Sequence, residues 1–141
     1  MVRNRARLVG AGLVSLAMAF TVATIVLATT RPHPSTSIEI VIHYSHFEPS
    51  SVLVPVGVPV TFKIRNDDPI DHEWIVGDAA VQAVHRTGTE LLHPSRPTEQ
   101  VIPAGETRVT TVTFDASGTQ QYICHLPGHE AYGMVGLVTI R

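Results

Sequence analysis

The sequence predicts an all-β fold, a Greek-key β-sandwich or barrel of about seven strands, preceded by one N-terminal hydrophobic helix. Three observations lead to this prediction. Short β-rich runs recur at regular spacing from Ile38 to the end of the chain. Gly and Pro residues separate the runs and mark the turns between strands. An uncharged, mostly apolar stretch over residues 8–30 precedes them.

The predicted strands are rich in β-branched and aromatic residues, and several alternate apolar with polar side chains. They are Ile38–Tyr44, Val52–Gly57, Val58–Arg65, His72–Val76, Thr107–Phe114, Gln120–Cys124 and Val135–Ile140. The run Thr107–Phe114 alternates most regularly, which indicates an edge-of-core strand. The stretch Gly77–Pro97 lacks this alternation, so a loop-rich insertion with a short helix around Ala79–His85 is expected. Insertions of this length are usually functional or loosely ordered.

Residues 1–30 predict a membrane anchor or a signal peptide. Arg3, Arg5 and Arg7 precede the apolar run, and such a basic flank stays on the cytoplasmic side. At about 1.5 Å per residue the run is long enough to cross a bilayer core of about 30 Å, which favours a retained anchor. Val26-Leu27-Ala28 has the small-residue spacing of a cleavage site, so a cleaved signal stays open as the alternative. Both interpretations place the rest of the chain outside the cytoplasm.

Residues 31–37 predict a short extended linker, and residues 38–141 predict one domain with a modest core. Four of the 10 basic residues precede the domain, whereas all 12 acidic residues lie within it. The domain therefore has 6 basic residues against 12 acidic ones, a formal charge of −6 with neutral histidines. This excess of negative charge argues against nucleic acid and anionic lipid surfaces as partners.

The single cysteine, Cys124, cannot form an internal disulfide. In an exported domain a lone cysteine is a free thiol, an intermolecular link or a metal ligand. Cys124, His129 and Met134 follow one another at Cys-x4-His-x4-Met spacing between two predicted strands. Thiolate, imidazole and thioether are donors that suit copper, particularly Cu(I). His72 begins a predicted strand after a tight turn and is the candidate for a second imidazole. Such a set is typical of a blue-copper electron-transfer centre.

The domain resembles the cupredoxins, the small blue-copper proteins, over residues 38–141. The resemblance rests on Phe47-Glu48-Pro49, Gly57–Phe62 leading to Asn66, Asp71-His72-Glu73, and Tyr122–His129 with Met134-Val135-Gly136. The Cys-to-Met spacing is most similar to that of rusticyanin, sulfocyanin and other single-domain plastocyanin-like proteins. The resemblance implies one type 1 copper ion with His72, Cys124, His129 and Met134 as ligands. It also implies a non-enzymatic carrier of single electrons between redox partners.

In that family the histidine of the ligand loop exposes its ring edge through an apolar surface patch. The resemblance therefore implies that redox partners dock transiently near His129. The corresponding patch residues are Leu126, Pro127, Ala131, Tyr132 and Gly133. A monomer is expected, and the membrane is a partner only through the N-terminal helix.

Three features depart from the family pattern. Glu73 stands where an asparagine is frequent, and an acid near the metal is expected to lower the reduction potential or to couple it to protons. His125 follows the cysteine, and the insertion carries His85 and His93. For these three histidines solvated or supporting roles are expected rather than a second metal site.

Other copper and zinc functions fit these residues less well. A multicopper oxidase needs paired His-x-His motifs and a His-Cys-His element, whereas here Ile123 precedes Cys124. A binuclear copper centre needs a second cysteine. Structural zinc is disfavoured because methionine is a poor zinc ligand. The remaining alternative is a copper carrier, chaperone or storage protein outside the cytoplasm, which the extra histidines mildly favour.

Overall fold

The computed structural model describes residues 36–88 and 95–141, which form a sandwich of two β-sheets. The first sheet contains β1 (Thr36–His43), β2 (His46–Glu48), β4 (Val60–Asn66) and β7 (Thr107–Val112). Its strand order is β2-β1-β4-β7. The second sheet contains β3 (Ser51–Val54), β5 (His72–Gly77), β6 (Glu99–Ile102), β8 (Gly118–Ile123) and β9 (Val135–Ile140). Its strand order is β3-β9-β8-β5-β6. The pairs β1/β4 and β3/β9 are parallel, and the other paired strands are antiparallel.

The predicted β architecture is confirmed, but the strand count of about seven was too low. The described residues contain nine strands, because β2 and β6 were not predicted. Both have only three or four residues, which is too few for a periodic pattern to stand out. The first residue of β6, Glu99, is also buried, which breaks the expected alternation of apolar-in and polar-out. The strand Thr107–Phe114 does lie at a sheet edge, although it ends at Val112.

The predicted short helix is present as α1 (Ala79–Arg86). It begins after Asp78, whose side chain accepts hydrogen bonds of 3.0 Å from the backbone amides of Ala80 and Val81. This side chain satisfies amides that have no partner inside the helix, as expected of an Asp at the N-cap. The hydrophobic helix predicted over residues 8–30 lies outside the described residues. Within residues 36–88 and 95–141, no helix is long and apolar enough to cross a membrane.

Aromatic side chains fill the core between the sheets. The ring centroids of Phe62 and Trp74 lie 5.0 Å apart, and those of Phe47 and Tyr122 lie 5.1 Å apart. The Tyr122 ring packs on the backbone of Gly136, where an added Cβ would lie 2.1 Å from the ring. Cys124 and Met134 are members of the same buried cluster. The soft donor atoms of Cys124 and Met134, their sulfurs, therefore lie at one end of the hydrophobic core.

Three strand ends of the second sheet meet at this end of the core. Strand β5 begins at His72, β8 ends one residue before Cys124, and β9 begins one residue after Met134. The registers pair Ile75 with Ile123, and Ile123 with Val135, so the three ends are neighbours. The sheet thus fixes the start and the end of the loop from Cys124 to Met134, and it places His72 beside that loop.

Candidate metal centre

The structure brings together three of the four predicted metal-ligating side chains through their donor atoms. His72 Nδ1 lies 3.2 Å from His129 Nδ1, and His129 Nδ1 lies 3.3 Å from Cys124 Sγ. All three atoms lie within 4.8 Å of one another. Within residues 36–88 and 95–141 this is the one group of three or more His, Cys, Asp or Glu side chains with that geometry. The bonds from a transition-metal ion such as Zn²⁺ to nitrogen and sulfur are about 2.0–2.3 Å long, so one ion can contact all three atoms.

Met134 closes the same loop. Its side chain is fully buried in the core cluster that contains Cys124. Its backbone carbonyl accepts a hydrogen bond from the amide of Cys124 at 3.3 Å, and its own amide donates to the carbonyl of His129 at 3.0 Å. These backbone contacts hold the fourth predicted ligand beside two of the others. A buried thioether here would supply a weak, soft donor to copper.

The Cys124 thiol is buried, and this burial raises its pKa. Hydrogen bonds from the backbone amides of Glu73 and Leu126 act in the opposite direction, and the charge of Glu73 adds to the increase. The amide of Glu73 lies 3.3 Å from the sulfur. A thiol with a raised pKa stays protonated until a metal takes the place of its proton, because the bound form is the thiolate.

The ring of His72 is held by Asp68, which lies in the turn before β5. Asp68 Oδ2 accepts a hydrogen bond from His72 Nε2 over 2.9 Å. Burial lowers the pKa of His72 although Asp68 raises it, so the ring is neutral near neutral pH. A neutral ring with its proton on Nε2 has its lone pair on Nδ1, which is the atom that faces Cys124 and His129. A carboxylate four residues before a candidate ligand was the available signal, since ligating histidines commonly donate to a carboxylate.

His129 borders a surface groove of about 480 Å³. The other lining residues are Tyr44, Ser45, Pro127, Gly128 and Tyr132. Tyr44 and Tyr132 are 78% and 76% exposed. Of the predicted patch residues, Pro127 and Tyr132 line this groove, and partner docking there stays a prediction. Leu126 instead packs against the core cluster, and the hairpin residues Tyr44 and Ser45 were missed because they lie far from the loop in sequence.

The extra histidines lie apart from the donor cluster. The rings of His85 and His125 stack with centroids 5.9 Å apart, and His125 Nε2 lies 2.7 Å from Gln82 Oε1. Both side chains are at most 5% exposed, so neither is solvated. Burial lowers the pKa of His125, partly offset by Glu130. His93 lies outside the described residues, as does His33, while His43 and His46 are exposed.

Glu73 has a structural contact that the sequence did not indicate. Its Oε2 accepts a hydrogen bond from the backbone amide of His125 at 3.2 Å. The backbone amide of Glu73 also donates a hydrogen bond to the sulfur of Cys124. The two hydrogen bonds together join the start of β5 to both residues at the start of the ligand loop. The expected effect of Glu73 on the potential stays a prediction.

Residues 34–141 match the model of the plastocyanin/azurin family of copper-binding proteins. The chain belongs to this family. The copper-resistant cuproprotein CopI of Pseudomonas aeruginosa is 27% identical in an alignment that covers 76% of this chain and 77% of that protein. Among solved structures, auracyanin B is similar with a TM-score of 0.63 and 26% identity, covering 79% of this chain and 93% of its own. Auracyanin A, a "blue" copper protein of Chloroflexus aurantiacus, is similar with a TM-score of 0.61 and 25% identity, covering 76% of this chain and 99% of its own.

The donor set of this cupredoxin fits the metal of its family. Two imidazole nitrogens, one thiol and one buried thioether are soft or borderline ligands, and no carboxylate belongs to the converged group. Copper is therefore the cofactor that this site is built to bind. When bound, it supplies one-electron chemistry between Cu(II) and Cu(I).

Proposed function

We propose that this cupredoxin carries single electrons between redox partners outside the cytoplasm, with copper held by His72, Cys124, His129 and Met134. The observation that carries the proposal is the convergence of three donor atoms at one point. The residues that bear them are tied to strand ends and backbone hydrogen bonds. A site whose ligands need not move suits electron transfer, because little reorganisation accompanies a change of one charge.

The burial of the site supports the same function. His72, Cys124 and Met134 have no exposed surface, and only His129 reaches a groove. Copper could leave such a site only if the ligand loop opened. Four protein ligands also leave no open position for a substrate, which supports a carrier rather than an enzyme.

The groove beside His129 is the proposed docking place for redox partners. Its two exposed tyrosines and Pro127 form a small, largely apolar surface around the one ligand that approaches solvent. Small contact surfaces of this kind suit weak, transient redox encounters. An extracytoplasmic location, with the N-terminal segment as anchor or signal, is part of the proposal and rests on the basic flank and apolar run of the sequence.

Copper handling is the second candidate function. The observation that favours it is the similarity to a protein named as a copper-resistant cuproprotein. A carrier or storage protein would have to release Cu(I) to an acceptor. Against this, His85 and His125 are stacked and buried, so they are poor intermediate ligands for an exchanging ion.

A redox titration of the copper-loaded full-length chain distinguishes the two functions. We expect reversible one-electron cycling with full recovery of the visible spectrum in the presence of a Cu(I) chelator. Loss of copper to the chelator on reduction would favour delivery. Failure of the Cu(II) form to show an intense visible thiolate band would contradict the blue-copper site itself.

A further inference from the structure

We propose that Asp68 is the positioning residue of the copper site: it fixes which nitrogen of His72 faces the metal, and it lowers the reduction potential. This role belongs to the copper centre itself, so it holds whether the protein carries electrons or copper.

Asp68 is buried, and both of its carboxylate oxygens are used. Oδ1 accepts from the amide of Tyr44 at 2.7 Å, and Oδ2 accepts from the amide of Ser45 at 2.7 Å and from His72 Nε2 at 2.9 Å. Three hydrogen-bond donors therefore surround the buried carboxylate.

The carboxylate is itself held in place by the loop that leads to β5. The Asp68 amide donates to Asn66 Oδ1 at 3.0 Å. Asn66 Nδ2 in turn lies within 3.1 Å of the carbonyl oxygens of Ile70, Ile102 and Pro103. The backbone amide and the carboxylate of Asp68 are thus both held by hydrogen bonds. The imidazole of His72 then has one orientation in which its Nε2–H is satisfied. Nδ1 then points to the cluster with Cys124 and His129.

The same carboxylate stabilises a strained turn, so two roles have to be separated. Tyr44 and Ser45 join β1 to β2 with φ of 52° and 55°. Residues with a Cβ adopt this left-handed conformation only at an energetic cost. Two-residue hairpin turns of this kind normally use Asn and Gly. Asp68 offsets the strain by accepting both amides.

The effect on the metal follows from charge. A carboxylate that accepts a hydrogen bond from a ligating imidazole makes the ring a stronger electron donor. Stronger donation stabilises Cu(II), the more positive ion, relative to Cu(I). Loss of such a contact typically changes metal affinity about 10-fold to 100-fold. The structure therefore assigns to Asp68 a function in the metal site and not only in the turn.

The test compares Asp68→Asn with Asp67→Asn in the copper-loaded full-length chain. Asp67 is the adjacent carboxylate and pairs with Arg65 instead of a ligand. Asp68→Asn is expected to shift the Cu(II)/Cu(I) affinity ratio about tenfold toward Cu(I), which is a rise of about 59 mV in potential. The electron paramagnetic resonance spectrum of Cu(II) should change as well. Asp67→Asn should leave both readouts as in the parent chain, and an unchanged potential in folded Asp68→Asn would overturn the proposal.

Two further measurements separate positioning from folding. In a chain with Tyr44→Asn and Ser45→Gly the turn no longer needs Asp68, so Asp68→Asn should cost less stability yet shift the potential equally. If the shift disappears in that chain, Asp68 acts only through the turn. Should Asp68→Asn not fold, ¹⁵N magnetic resonance of the unmodified, metal-free chain gives the answer. We expect the His72 proton on Nε2, and a proton on Nδ1 would refute the assignment.

Discussion

The backbone amide of Glu73 donates a hydrogen bond to the sulfur of Cys124 over 3.3 Å, while the carboxylate of Glu73 accepts one from the amide of His125. One residue therefore acts on the site in two ways. Its amide stabilises the thiolate, and its charge disfavours it. The two effects can be separated by mutation, because a side-chain change leaves the amide in place.

Glu73→Gln should raise the reduction potential while the blue absorption is retained. Removing the negative charge destabilises Cu(II) more than Cu(I), and the amide oxygen of the substituted side chain can still accept from His125. We expect a rise of up to about 59 mV, equivalent to a tenfold change in the affinity ratio. A redox titration measures it. A fall in potential would show that the loop rearranges when the carboxylate is lost.

Cys124→Ser should abolish the intense visible absorption of the Cu(II) form and leave the β-sheet circular dichroism unchanged. The hydroxyl cannot replace a thiolate as ligand, and the strands on either side do not depend on it. Unfolding of the metal-free chain should be easier by about 1–3 kcal/mol, since a buried hydroxyl replaces an apolar thiol. Met134→Leu is the matched change of the weak thioether donor and should keep the absorption. Persistence of the colour in Cys124→Ser would exclude this residue as the thiolate ligand.

The ligand spacing made much of the site predictable from sequence. Cys124, His129 and Met134 lie within eleven residues, so one loop has to bring them together, and a strand on each side fixes its ends. His72 could be proposed because it begins a strand after a turn. The chain resembled a known family at these same residues, and the family model matches residues 34–141.

Contacts between distant segments were beyond the sequence pattern. The contacts of Asp68 with Tyr44 and Ser45 could not be predicted, because these residues are more than twenty positions away and meet Asp68 only through the pairing of β1 with β4. The groove wall at Tyr44 was missed for the same reason. Strands β2 and β6 were missed because their pairing with longer neighbours, and not their own periodicity, makes them strands.

The ion pair between Arg86 and Glu130 should give metal-free stability a measurable acid dependence. Arg86 donates to both Glu130 oxygens and thereby lowers the pKa of that carboxyl from 4.5. A carboxyl with a lowered folded pKa stabilises the fold above its unfolded pKa, and this contribution is lost as the pH falls through the folded value. Near neutral pH the parent chain should therefore unfold at a higher temperature than Glu130→Gln. This difference in unfolding temperature should shrink below about pH 4.5.

Arg86→Gln is the matched control for this pair. It removes the guanidinium that lowers the pKa of Glu130 and leaves the carboxylate in place. The thermal stability of this variant should therefore approach that of the parent chain over the same acid range. The pair joins the last turn of α1 to the residue after His129, and copper binding by both variants should still occur. Parallel curves for the parent and Glu130→Gln at every pH would mean that the contact does not contribute in solution.

Tyr132→Lys should slow electron exchange between Cu(I) and Cu(II) copies of the chain without changing the potential. Two copies that exchange electrons through His129 must bring their grooves together, which would desolvate an ammonium group on each and lose an aromatic contact. We expect a decrease of about tenfold in the self-exchange rate, measured from magnetic resonance line widths in mixtures of the two forms. Val109→Lys adds the same charge to an exposed position on β7, away from the groove, and should have a much smaller effect. Equal slowing by both variants would show that net charge and not the His129 groove governs the encounter.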